Sequence, residues 1–126
     1  MDLVLKIVLT LGGLLLVFMG TGFMIDPNGS ALDFGLMTVG AHGNTSARAD
    51  FTAFFVVSGA SFIWGAWAKR RDPLVIGAAL MLIALAARLV SLVVDGPFEG
   101  HIVPMAVEAV LGIAALVMAR RVHRAS

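Results

Sequence analysis

Arg88 and Glu108 are the two residues of this chain whose type and setting point most directly to chemistry. Arg88 interrupts the apolar run ALMLIALAARLVSLVV, and Glu108 interrupts IVPMAVEAVLGIAALVMA. A charge in such surroundings costs at least a few kcal/mol unless it is paired, so it marks an ion pair, a ligand site or a proton relay. The short stretch DGPFEGH joins the two runs, which makes an Arg88–Glu108 pair the most economical arrangement. One carboxylate leaves donors of a guanidinium unsatisfied, because arginine carries five. Ser91 and Asp95, three and seven residues after Arg88, lie on its helix face. Asn44, Arg48 and Asp50, at the mouth of the preceding apolar segment, are further candidates for the network. A purely structural clamp is the slightly favoured reading of the pair, ahead of a ligand or proton site.

Other chemistry has less support. His101, Met105 and Glu108 recur at helical spacing and with His42 would offer a soft-metal face. A histidine in a turn and a core methionine are the plainer reading, and no metal is expected. The chain has no cysteine, so disulfides, thiolate metal sites and a thiol nucleophile are excluded. It has no Gly-rich phosphate loop and no HExxH, and nothing in it indicates a particular cofactor. No basic cluster with interleaved aromatics points to nucleic acid.

The elements that must hold these residues are membrane helices. Of the 126 residues, 60% are hydrophobic and 13% charged, against roughly 45–50% apolar in soluble domains. Four segments approach the roughly 20 apolar residues needed to cross a bilayer. They predict helices over residues 3–25, 51–68, 74–94 and 102–119, packed as one all-α transmembrane four-helix bundle. The first is too long for the apolar part of a signal peptide, and no small-residue cleavage site follows it, so it reads as a retained helix. Asp26-Pro27-Asn28-Gly29 ends it with turn chemistry. Residues 26–50 read as a long connection, with a short interfacial helix over Ala31–Val39. Thr45 or Ser46 reads as the N-cap of the second long helix. Gly12, Gly13, Gly20 and Gly22, and later Ser61 and Gly65, are small residues that allow close helix approach.

Four spans put both termini on one side. That side carries seven cations (Lys6, Lys69, Arg70, Arg71, Arg120, Arg121, Arg124) against Asp2 and Asp72, a net +5. The remainder carries Arg48 and Arg88 against six acids, a net −4. The positive-inside rule then predicts both termini in the cytoplasm, with residues 26–50 and 95–101 facing outward. The terminal arginines read as an inside anchor beside anionic lipid head groups.

Several of these residues carry a resemblance. Asn44-x-x-x-Arg48-Ala49-Asp50-Phe51, Ala87-Arg88-Leu89-Val90-Ser91 with Asp95-Gly96-Pro97, and Glu108 in the last helix resemble the bacterial membrane proteins grouped as domain of unknown function 4345. The family pattern favours glycine just before the helix-three arginine and just after the Arg-Ala of helix two; this chain has Ala87 and Thr52-Ala53 there. The resemblance implies a small four-helix bundle of the bacterial inner (cytoplasmic) membrane, distantly similar to DoxX-like proteins. It implies no established activity.

Three functions are compatible with these features. A non-catalytic binding or accessory subunit is expected ahead of the others. It would dock in a larger membrane complex or a homo-oligomer, or hold a lipid or quinone at the outward polar site. The second is a DoxX-like redox or isomerising enzyme on a lipophilic substrate. The third is a small proton-coupled transporter, which the lack of any acid between Leu3 and Ile25 disfavours.

Overall fold

The computed structural model describes residues 1–125, with side chains through Arg124. Among the described residues there are five helices and no strand: α1 (Asp2–Ile25), α2 (Pro27–Leu32), α3 (Gly40–Ala68), α4 (Arg71–Val94) and α5 (Ile102–Ala125). All but α2 are long and apolar enough to cross a membrane. They run up and down in sequence order. α1 packs chiefly on α3, α4 on α5, α3 joins the two pairs, and a lighter α1–α5 contact closes the ring.

The end that carries the termini is tightly packed. Its interior is built from Leu9, Phe62, Leu74 and a set of alanines that includes Ala66, Ala78, Ala115 and Ala119, all buried. Small residues let the helix axes approach. α1 and α3 come into close backbone contact at Gly13 and Gly59. A Cβ on Gly13 would lie 2.7 Å from the Gly59 carbonyl oxygen, and one on Gly59 would strike the Gly13 carbonyl. Polar ties mark the same end. Arg121 Nη1 donates to Asp2 Oδ1 at 2.8 Å, Trp67 Nε1 donates to Thr10 Oγ1 at 2.8 Å, and Lys6 Nζ lies 5.2 Å from the centre of the Trp67 ring. Lys69, in the left-handed conformation at φ 52, ends α3, and the Lys69 and Arg70 N–H groups return to the Gly65 carbonyl.

The opposite end departs from the sequence reading in two places. The short helix is Pro27–Leu32 rather than Ala31–Val39. Asp26 accepts from the Gly29 N–H at 3.1 Å and Pro27 occupies the first turn, so capping chemistry sets the start. Gly35, at φ 73, turns the chain away. The second correction is larger: α3 begins at Gly40, not near residue 51, so the expected 25-residue connection shrinks to a short helix and residues 33–39. Thr45 is no cap. Its Oγ1 donates to the Ala41 carbonyl at 2.8 Å, one turn back inside the helix. Hydropathy locates the stretch that suits a bilayer, whereas this polar extension is held by tertiary contacts. Ala47 is buried, and Arg48 Nε donates to the Met24 carbonyl at 2.9 Å, closing the end of α1. α4 and α5 also extend beyond expectation, to Arg71 and Ala125, because their flanking arginines continue the helices.

Candidate functional site

At this second end the bundle loosens. In α4 no residue after Met81 is buried, and in α5 the first buried residue is Glu108. The space is occupied by phenylalanines. Phe23, Phe34, Phe51 and Phe55 form a cluster with ring centres 4.7–6.4 Å apart. Phe34 comes from the first connection and pins it down onto α1 and α3.

Arg88 and Glu108 meet below this cluster. Arg88 Nε lies 2.9 Å from both carboxylate oxygens of Glu108. Glu108 is 7% exposed, whereas the Arg88 side chain is 31% exposed. One N–H is thus shared by two oxygens, and the two Nη groups make no hydrogen bond among the described residues. Four N–H donors of the guanidinium remain uncommitted.

Two cavities converge on the pair. The larger, about 990 Å³, lies between the C-terminal half of α1 and the N-terminal half of α5 and reaches inward to Phe54, Phe55, Met81, Arg88 and Glu108. Its rim includes Asp33 from the first connection and Glu99 and Phe98 from the turn between α4 and α5. Leu15, Phe18 and Val103, all exposed, flank it, so it opens sideways as a groove. The smaller cavity, about 320 Å³, lies on the α3–α4 side and is lined by Asp50, Phe51, Ala84 and the same Arg88 and Glu108. Seven of the chain's eight phenylalanines line one cavity or the other; Phe62 alone does not.

The remaining candidates do not join the pair. Ser91 and Asp95 are exposed, and neither bonds to Arg88. The reason is directional: a helical side chain leans toward the N-terminus of its helix, so Arg88 reaches down toward the level of Ala84, away from both residues. Arg48 is engaged with α1 instead. Asp50 borders the smaller cavity without a bond to the pair, and the Asn44 side-chain oxygen is buried without a partner. His42 is exposed in the first turn of α3, and His101 Nδ1 lies 2.7 Å from the Phe98 carbonyl oxygen in its own turn. Met105 is half-buried. Among the described residues no group of three His, Cys, Asp or Glu side chains gathers to hold a metal.

Sequence reasoning missed the groove itself and the acids of its rim, Asp33 and Glu99. The signal was present in the phenylalanines, which concentrate between Phe18 and Phe55 and at Phe98 while the other half of the bundle is built from alanine and glycine.

Fold and site together define a small membrane protein: a bundle of four long apolar helices with a charged pair at the base of an apolar groove. The chain belongs to the family described as Domain of unknown function (DUF4345), whose model matches residues 4–119. No curated protein matches this chain, and neither does any solved structure. Ala87, just before Arg88, is exposed.

Proposed function

We propose that this protein is a non-catalytic binding protein of the bacterial inner membrane that holds a lipid or quinone in the groove between α1 and α5. One observation carries the reading. Arg88 presents uncommitted donors at the base of a 990 Å³ apolar cavity that opens sideways between helices. Small-molecule sites are typically apolar cavities of about 300–1,000 Å³ with a few placed polar groups. A groove between helices is reached from the bilayer, which suits an amphiphile entering tail and head together. The cations gathered at the terminal end support an orientation with both termini in the cytoplasm, so the groove lies in the outer half of the membrane.

The docking form of the same reading, an accessory subunit in a larger complex or a homo-oligomer, draws on the outward face of α1. There Leu3, Val4, Leu11, Leu14 and Phe18 are all exposed, a face that lipid also covers.

The test is purification from the native membrane in a gentle detergent, followed by mass spectrometry of what travels with the protein. A stoichiometric lipid or quinone that is lost from Arg88→Met/Glu108→Leu supports the groove reading. A stoichiometric protein partner with no small molecule overturns it in favour of the accessory role.

A further inference from the structure

The charges around the groove narrow the kind of head group it takes. Arg88 is the one cation lining it among the described residues, and Glu108 already neutralises that charge. What Arg88 offers is donors rather than net charge. The lining adds two carboxylates, Asp33 from the first connection and Glu99 from the turn before α5. Neither is in an ion pair among the described residues, and both are exposed. A third, Asp50, borders the cavity on the far side of the pair. An incoming group therefore meets a balanced pair and a negative rim. An anionic head is repelled at the mouth and finds no unbalanced positive charge at the base. A neutral acceptor is not repelled and can take two or more N–H donors from Arg88.

Resting on the ligand-holding reading above, we infer that the groove selects amphiphiles headed by a neutral carbonyl, an ester or ketone oxygen on an apolar tail, and discriminates against free carboxylates and anionic lipids. The apolar walls at Leu15, Phe18 and Val103 take the tail, and the carbonyl oxygen sits against the Arg88 Nη groups. Glu108 acts as a positioning residue. It holds Nε, fixes the plane of the guanidinium, and leaves the Nη edge facing the cavity.

The probes are methyl laurate and laurate, which share a tail and differ in head charge at about pH 8. Binding of each is measured by native mass spectrometry in a non-ionic detergent. Wild type is compared with Asp33→Asn/Glu99→Gln and with Arg88→Met/Glu108→Leu. Each ligand is compared with itself across the variants, so its partition into micelles cancels. Two like charges at a partly solvated rim are worth roughly tenfold in affinity. The expected result is that neutralising the rim tightens laurate about tenfold and leaves methyl laurate within about twofold, while removing the pair abolishes methyl laurate binding. Laurate that binds wild type well and is unmoved by the rim change overturns the head-group selection but leaves a ligand groove standing. Methyl laurate that still binds after loss of the pair shows that Arg88 does not read the head. Failure of both probes on wild type removes this inference, and an empty protein from the native membrane removes the groove reading with it.

Discussion

Arg88→Met should be more harmful than Glu108→Gln, and the difference follows from the geometry of the pair. Glu108 is almost fully buried, so loss of Arg88 strands a carboxylate without its partner. Breaking a buried pair from one side costs about 3–5 kcal/mol. Loss of the Glu108 charge strands a guanidinium whose side chain is 31% exposed into the groove. That is partial relief, and the single shared N–H is one charge-assisted hydrogen bond, about 1.5–3 kcal/mol. The expected losses are therefore about 3–4 kcal/mol for Arg88→Met and about 2 kcal/mol for Glu108→Gln. At a few degrees per kcal/mol, these correspond to melting drops of about 15 °C and about 8 °C. Arg88→Met/Glu108→Leu removes both charges and fills the site with apolar atoms. It should melt within a few degrees of wild type or above it. The assay is thermal unfolding in detergent followed by circular dichroism, with any co-purifying small molecule quantified on the same samples. Two results would refute the reasoning. A double variant that melts as low as Arg88→Met would mean that the pair is kept for stability and not for a ligand. A larger drop for Glu108→Gln than for Arg88→Met would mean that burial at the two residues is not what sets the cost.

Other predictions follow from separate parts of the fold. Gly59→Val drives a side chain into the Gly13 carbonyl and should cost about 1–3 kcal/mol, whereas Ala60→Val, on an exposed position next to it, should leave the melting temperature nearly unchanged; equal effects would disprove the close α1–α3 contact. Arg48→Met frees the carbonyl at the end of α1, so amide exchange at Asp26 and Asn28 should rise several-fold while the terminal end of α1 keeps its protection. The chain has no native cysteine, so Glu99→Cys and Arg124→Cys can be labelled singly with an impermeant maleimide on intact cells. Glu99→Cys should react and Arg124→Cys should not until the membrane is opened; the reverse pattern inverts the topology.

Much of this architecture was legible because the bilayer constrains it. Long apolar runs, turn chemistry at Asp26-Pro27 and Asp95-Gly96-Pro97, and two charges at matched depth within apolar runs suffice for the helices and for the Arg88–Glu108 pair. The start of α3 was hidden because residues 40–50 are polar, and their helicity is imposed by Ala47 and Arg48 acting on α1. Thr45 and Ser46 looked like caps for the same reason that they are tolerated in the helix, namely hydroxyls that bond to nearby backbone. Ser91 and Asp95 were grouped with Arg88 by spacing alone, which ignores the lean of side chains along a helix. The groove was invisible because it is an absence of packing, and no residue pattern encodes absence directly. It becomes readable only when phenylalanine and alanine are seen to divide the bundle between them.

The unequal packing of the ring has a mechanical meaning. α1 with α3 and α4 with α5 form two stiff leaves, and the α3–α4 contact is their spine. Across the free edge they are fastened by Asp2–Arg121 at the terminal end and by Leu111 against Gly12, about one turn from the groove-lining Glu108 and Leu15. Such a ring would open as a clamshell, with a gape that the surrounding bilayer would set. Lateral pressure presses the leaves together, and a thickness mismatched to the helices lets them splay or tilt at a fraction of a kcal/mol per Å. Occupancy of the groove would then vary with membrane composition even when the concentration of its occupant does not. Spin labels at Leu15→Cys and Val103→Cys in thin and thick bilayers would register that gape, and an identical distance distribution in both would show the leaves to be locked.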